Sequence, residues 1–149
     1  MDVTTNQLLS SPSSIAVLVV DDDEVIRAVL SELLTDEGYE VYLAPDGEPA
    51  LQRLRERPQG MVVLLDLNMP GMDGAQVLQA VVAEAPLAQR HEFIMLSAFA
   101  PSVGLPRALA ALFAHLEVPV IPKPFDIKCI VDTVAQAAQR VTDKTLRSI

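Results

Sequence analysis

Asp21 and Asp22 follow the apolar run at residues 15–20, and Asp66 follows another at residues 61–65. Two more runs lead to polar residues: residues 93–96 end at Ser97, and residues 118–121 precede Pro122-Lys123-Pro124-Phe125. Singly, each has an ordinary explanation. An Asp after a strand is more often a helix cap, and a Lys near a loop is usually solvated. Together they define a chemistry. Two like charges about 4 Å apart repel by roughly 4 kcal/mol at an effective dielectric near 20. Three grouped carboxylates therefore need a proton, a cation or both. A hard divalent cation with oxygen ligands suits them, and Mg2+ takes one or two carboxylates together with phosphate oxygens. Such an ion neutralises charge on a transferring phosphoryl group. Asp66 then reads as a nucleophile forming an acyl phosphate, Lys123 as a compact charge for a phosphoryl oxygen, and Ser97 as a hydroxyl donor to another.

The elements that must carry these residues follow from periodicity. Residues 15–20 and 61–65 are β-branched or aliphatic throughout, as in strands buried on both faces. Val25, Ile26, Val29, Leu30, Leu33 and Leu34 recur at helical spacing, with Gly38 placed to stop that helix. Residues 39–43 alternate as a second strand, and Pro45-Asp46-Gly47 is a turn. Ala50, Leu51 and Leu54 mark a helix ended by Pro58. Residues 68–74 are a loop, 75–84 a helix, 93–96 the fourth strand and 101–104 a loop. Leu105, Leu109, Leu112, Phe113 and Leu116 form a helical stripe, residues 118–121 a fifth strand, and Ile127, Ile130, Val131, Val134 and Ala138 a closing amphipathic helix. A strand–helix pair repeated five times demands crossover connections, hence an α/β protein with a parallel sheet covered on both faces. Ligands in such sheets bind beyond the carboxyl ends of the strands, where the chemistry-bearing residues lie. Pro119 and Pro122 cannot donate to a ladder, so the fifth strand belongs at an edge.

Bulk properties narrow the function classes. The chain has 149 residues, half of them apolar, which fits one domain with a real core. The formal charge of −9 and the absence of a Lys/Arg cluster argue against nucleic acid as a partner. The single cysteine excludes an intramolecular disulfide, and with His91 and His115 it gives no familiar zinc pattern; Cys129 is expected to be a small buried apolar residue. No signal peptide is visible and no apolar run is long enough to span a bilayer, so a cytoplasmic location is expected. The domain is read as residues 15–140, with residues 1–14 a flexible leader and residues 141–149 a tail holding no output domain.

The stretches Val-Leu-Val-Val-Asp21-Asp22, Leu-Leu-Asp66-Leu-Asn68-Met69-Pro70-Gly71-Met72-Asp73-Gly74, Ser97-Ala98 and Lys123-Pro124-Phe125 closely resemble those of response regulator receiver domains, in the same order. The resemblance covers about residues 15 to 140. It implies a flavodoxin-like, doubly wound, three-layer fold with strand order 2-1-3-4-5. It also implies that Asp66 accepts phosphate from a histidine kinase or a histidine phosphotransfer protein. By match of position, Asp22 and Asp66 would ligate Mg2+ directly, Asn68 would use its backbone carbonyl, and Asp21 would act largely through water. Lys123 would contact the phosphoryl group and join Pro124 by a cis bond, and Gly71 and Gly74 would shape the acceptor loop.

In the family, phosphorylation draws the residue at the Ser97 position inward, and an aromatic residue three before the lysine follows. The surface of the fourth helix, fifth strand and fifth helix then changes for a downstream protein target. Here that aromatic position holds Val120, and the stretch from Ser97 to Lys123 is a few residues longer, with Pro101 and Pro106. Phe99, two after Ser97, is expected either to shield the phosphoryl group from water or to pack on the next helix. Two rivals stand beside this reading. A haloacid-dehalogenase-type phosphatase would place a second Asp two after its nucleophile, where Asn68 stands. A phosphate-independent interaction module would be consistent with Val120. A stand-alone receiver acting by docking is the simplest organisation, and a homodimer is common among such proteins.

Overall fold

The computed structural model describes residues 15–98 and 107–147. Five parallel strands form one sheet: β1 (Ala16–Val20), β2 (Glu40–Ala44), β3 (Met61–Asp66), β4 (Glu92–Ser97) and β5 (Val120–Pro122), in the order β2-β1-β3-β4-β5. The expected order 2-1-3-4-5 is therefore present, with the proline-bearing strand at an edge. Every residue of β1 and β3 is buried, as their unbroken apolar runs require. The crossovers are α1 (Glu24–Asp36), α2 (Gly47–Glu56), α3 (Gly74–Ala83), α4 (Ala85–Arg90), α5 (Arg107–Leu116) and α6 (Ile127–Arg147). One face of the sheet packs on Leu30 and Leu34 of α1 and on Ile130, Val134 and Val141 of α6. The other packs on Leu51 and Leu54 of α2, Val77, Leu78 and Val81 of α3, Leu87 of α4 and Phe113 of α5. Each fully buried Leu or Ile contributes roughly 1.5–3 kcal/mol of transfer free energy.

Gly38 closes α1 at φ 97°, a left-handed turn that glycine takes without strain. Several expectations need correcting. The helix read at residues 75–84 spans Gly74–Ala83, and a separate short helix, α4, follows it with Pro86 in its first turn. Proline cannot continue a helix because it lacks the N–H, but it starts one well. The sequence reading's fourth helix, fifth strand and fifth helix are thus α5, β5 and α6. The fifth strand is Val120–Pro122 rather than 118–121, although Pro119 still accepts at its carbonyl from the Met95 N–H (2.9 Å). The last helix runs past residue 140 to Arg147, because Val141 prolongs its buried stripe and Lys144 pairs with Glu92 at 2.6 Å. Cys129 is exposed, not buried: it precedes Ile130 on α6 and points off the stripe formed by Ile130, Val134 and Ala138. Val25 and Val29 share the α1 periodicity but lie outside its buried face. Leu105, Phe99, Pro101 and Pro106 fall outside the described residues, as do residues 1–14.

Candidate functional site

The carboxyl ends of β1, β3 and β4 and the turn after β5 meet at one rim. At the end of β1, Asp21 is fully buried and each of its polar groups is engaged. Its N–H donates to the Ala44 carbonyl (3.2 Å), Oδ1 accepts from the Asp23 N–H (2.9 Å), and Oδ2 accepts from Lys123 Nζ (3.0 Å). Its carbonyl accepts from Arg27 Nη1 at 2.7 Å. Asp23 is the helix cap, accepting from the Val25 N–H at 2.9 Å, so of the three consecutive acids one caps and two face the rim. Asp22 is exposed, and its side chain has no hydrogen bond or ion pair among the described residues.

Asp66 ends β3 with 2 % of its surface exposed. Its Oδ1 accepts from the Asn68 N–H (3.1 Å) and lies 3.3 Å from Lys123 Nζ. The Leu67 N–H donates to the Leu96 carbonyl (2.8 Å), which ties the loop after β3 to β4. Gly74 permits that loop to fold back, since a Cβ there would lie 2.6 Å from the Asp66 carbonyl oxygen. Gly71, in the same loop, adopts φ 74°, a left-handed conformation that favours glycine. Ser97 ends β4 and is buried, and its carbonyl accepts from the Lys123 N–H at 2.8 Å. Lys123 is joined to Pro124 by a cis bond. The sequence therefore named five residues from four strands, and the fold brings all five to one rim. Val120 is paired with Met95 and 40 % exposed.

One carboxylate oxygen from each of Asp21, Asp22 and Asp66 can be chosen so that all lie within 4.8 Å of one another. Lys123 supplies one positive charge against three negative ones. Burial pushes the Asp66 carboxyl up to about 6; the Asn68 N–H resists this, Asp21 adds to it, and Lys123 opposes it. Burial works against the Lys123 charge, but its hydrogen bond to Asp21 and the charges of Asp66 and Asp21 outweigh this and raise its pKa. An all-oxygen donor set, one carboxylate of it exposed and unengaged, fits a hard divalent cation. Sequence reasoning missed Arg27. Its place in the first turns of the helix that leaves Asp21-Asp22 was the available signal, because such a side chain can reach back to the strand end.

Residues 17–135 match the family described as the response regulator receiver domain. The chain is 38% identical over 121 residues to the "Probable chemotaxis protein CheY" of Rhizobium etli, covering 80% of this chain and 89% of that one. It is 35% identical over 121 residues to the "Sporulation initiation phosphotransferase F" of Bacillus subtilis, covering 79% and 89%. A CheY-like receiver domain protein of Methanospirillum hungatei superposes with a TM-score of 0.73 at 30% identity, over 86% of this chain and 97% of that one.

Proposed function

The chain belongs to the response regulator receiver domain family, and from that premise we propose that Asp66 is its phosphoacceptor in a two-component phosphorelay. The donor is a phosphohistidine on a sensor histidine kinase or a histidine phosphotransfer protein. An Asp66 carboxylate oxygen attacks phosphorus, the phosphorus–nitrogen bond breaks, and the imidazole leaves with the electron pair. Asp22 and Asp66 would hold Mg2+ directly, the Asn68 carbonyl would add a ligand, and Asp21 would act through water. When bound, the ion would offset the charge of the carboxylates and of the phosphoryl oxygens. Lys123 contacts one phosphoryl oxygen, and Ser97 turns its hydroxyl to another. The observation that carries this reading is a buried aspartate 3.3 Å from the Lys123 ammonium, with two further carboxylates at the same rim.

Phosphorylation shifts a two-state equilibrium at the surface of α5, β5 and α6, where the downstream protein target docks. The chain is a phosphoacceptor rather than an enzyme acting on a separate substrate. It works in the cytoplasm, without nucleic acid or membrane insertion, and no helix among the described residues is long and apolar enough to cross a membrane. Asn68, two after Asp66, cannot exchange protons, which disfavours a dehalogenase-type phosphatase. One observation favours a second reading, a phosphate-independent interaction module: Val120 has no aromatic ring to turn inward.

Intact mass after incubation with acetyl phosphate and Mg2+ tests the proposal. Wild type gains one phosphoryl group, while Asp66→Asn and an EDTA-treated sample do not. A folded wild type that gains none favours the interaction module.

A further inference from the structure

Asp21-Asp22-Asp23 is held on both sides of a free middle residue. Asp21 is engaged at all its polar groups, and Asp23 is tied both to Asp21 Oδ1 and to the first turn of α1. Asp22 is exposed, as Asp23 is, but of the three its side chain alone has no partner among the described residues. Its direction is set by the peptide joining it to Asp21, and the oxygen of that peptide is the Asp21 carbonyl, held by Arg27 at 2.7 Å. Arg27 is half-buried on α1, and its own N–H bonds the Asp23 carbonyl (3.0 Å), so the clamp is anchored to the helix that Asp23 caps. A charged donor on a carbonyl makes a stronger bond than a neutral one, and a guanidinium is a rigid donor group.

We infer that Arg27 is a positioning residue that fixes the Asp21–Asp22 peptide and so aims the Asp22 carboxylate at the cation. The inference rests on the Mg2+ site proposed above and adds a residue outside the ligand set. Loss of groups that orient metal ligands commonly weakens binding by roughly tenfold or more. The sign separates positioning from charge. Removing a nearby positive charge, with nothing else altered, would tighten binding of a divalent cation. Removing a clamp loosens it.

The experiment is calorimetric titration of the full chain with MgCl2, comparing wild type, Arg27→Gln and Arg27→Lys, each first melted in EDTA to establish folding. Arg27→Gln, too short to keep the bond, is expected to bind Mg2+ roughly tenfold more weakly, with Arg27→Lys in between. Binding by Arg27→Gln as tight as wild type, or tighter, overturns the inference and leaves the Mg2+ site standing. Failure of wild type itself to bind Mg2+ overturns the site and this inference with it. NMR of the wild-type Arg27 side chain gives a readout that needs no variant: an Nη proton protected from exchange supports the clamp, and a freely rotating guanidinium overturns it.

Discussion

Asp66 carries an electrostatic cost in the fold. Burial holds its carboxyl near 6, so at neutral pH it is ionised where ionisation is unfavourable. The sign follows from linkage. A folded-state pKa above the unfolded value gives stability that is complete below about pH 4 and is lost as pH rises through about 6. Asp66→Asn removes the penalty. In EDTA at pH 7 it should unfold at higher urea than wild type, by about 1–3 kcal/mol, with the gain fading towards pH 4. An Asn variant no more stable than wild type at pH 7 would contradict this account of the pocket.

The elements differ in how they reach the rim. β1 and β3 are buried cords that deliver Asp21 and Asp66 from the middle of the sheet, whereas β5 is three residues long and delivers Lys123 from an edge. The Lys123 N–H bonds the Ser97 carbonyl, so the edge is fastened to the end of β4 beside the lysine. At the other end of the fold, α6 extends through Arg147 because Val141 is buried and Glu92 is held by both Arg140 (2.8 Å) and Lys144 (2.6 Å). Lys144 also donates to the carbonyls of Ala88 and His91, which ties α6 to α4. Ending the chain after residue 140 should therefore destabilise it by about 2–4 kcal/mol, from lost Val burial and a carboxylate stripped of one partner. Thermal melting checks this, and an unchanged midpoint would mean that the last turns of α6 add nothing.

Across the molecule, the carboxylate rim lies at one end of the strands and a buried histidine at the other. His91 Nδ1 accepts from the Met61 N–H (3.0 Å), so its Nε2–H points to the Leu54 carbonyl (3.3 Å). Burial pushes the imidazole down to about 4; the Leu54 carbonyl resists this, and the charges of Arg90, Lys144 and Arg57 reinforce it. The unfolded chain takes up this proton near pH 6.5 and the folded chain does not, so stability is complete above pH 6.5 and falls towards about pH 4. The difference reaches about 3 kcal/mol. Asp66 acts in the opposite sense over an overlapping range, so the measurement belongs in the Asp66→Asn background. Urea unfolding from pH 7 to pH 4.5 should show the decline there, and His91→Gln should flatten it. A decline that persists in the double variant would place its origin elsewhere.

The sequence alone determined the repeated strand–helix order and the strand ends that carry Asp21, Asp22, Asp66, Ser97 and Lys123, because apolar runs and the carboxylates that end them are local features. The prolines of β5 predicted its place at an edge for the same local reason, the missing N–H. The strand order came from the family resemblance rather than from any residue. Local pattern failed where burial depends on a neighbouring element. Cys129 has the type of a core residue but lies off the stripe that α6 turns to the sheet, and the end of α6 was hidden because Val141 and Lys144 acquire partners only when packed beside β4 and α4. Arg27 is an ordinary helix residue until the fold sets its guanidinium on the Asp21 carbonyl. Only the tertiary structure decided which of three consecutive aspartates caps, which is locked and which is free, because that depends on distances to Lys123, Arg27 and α1 that no spacing along the chain encodes.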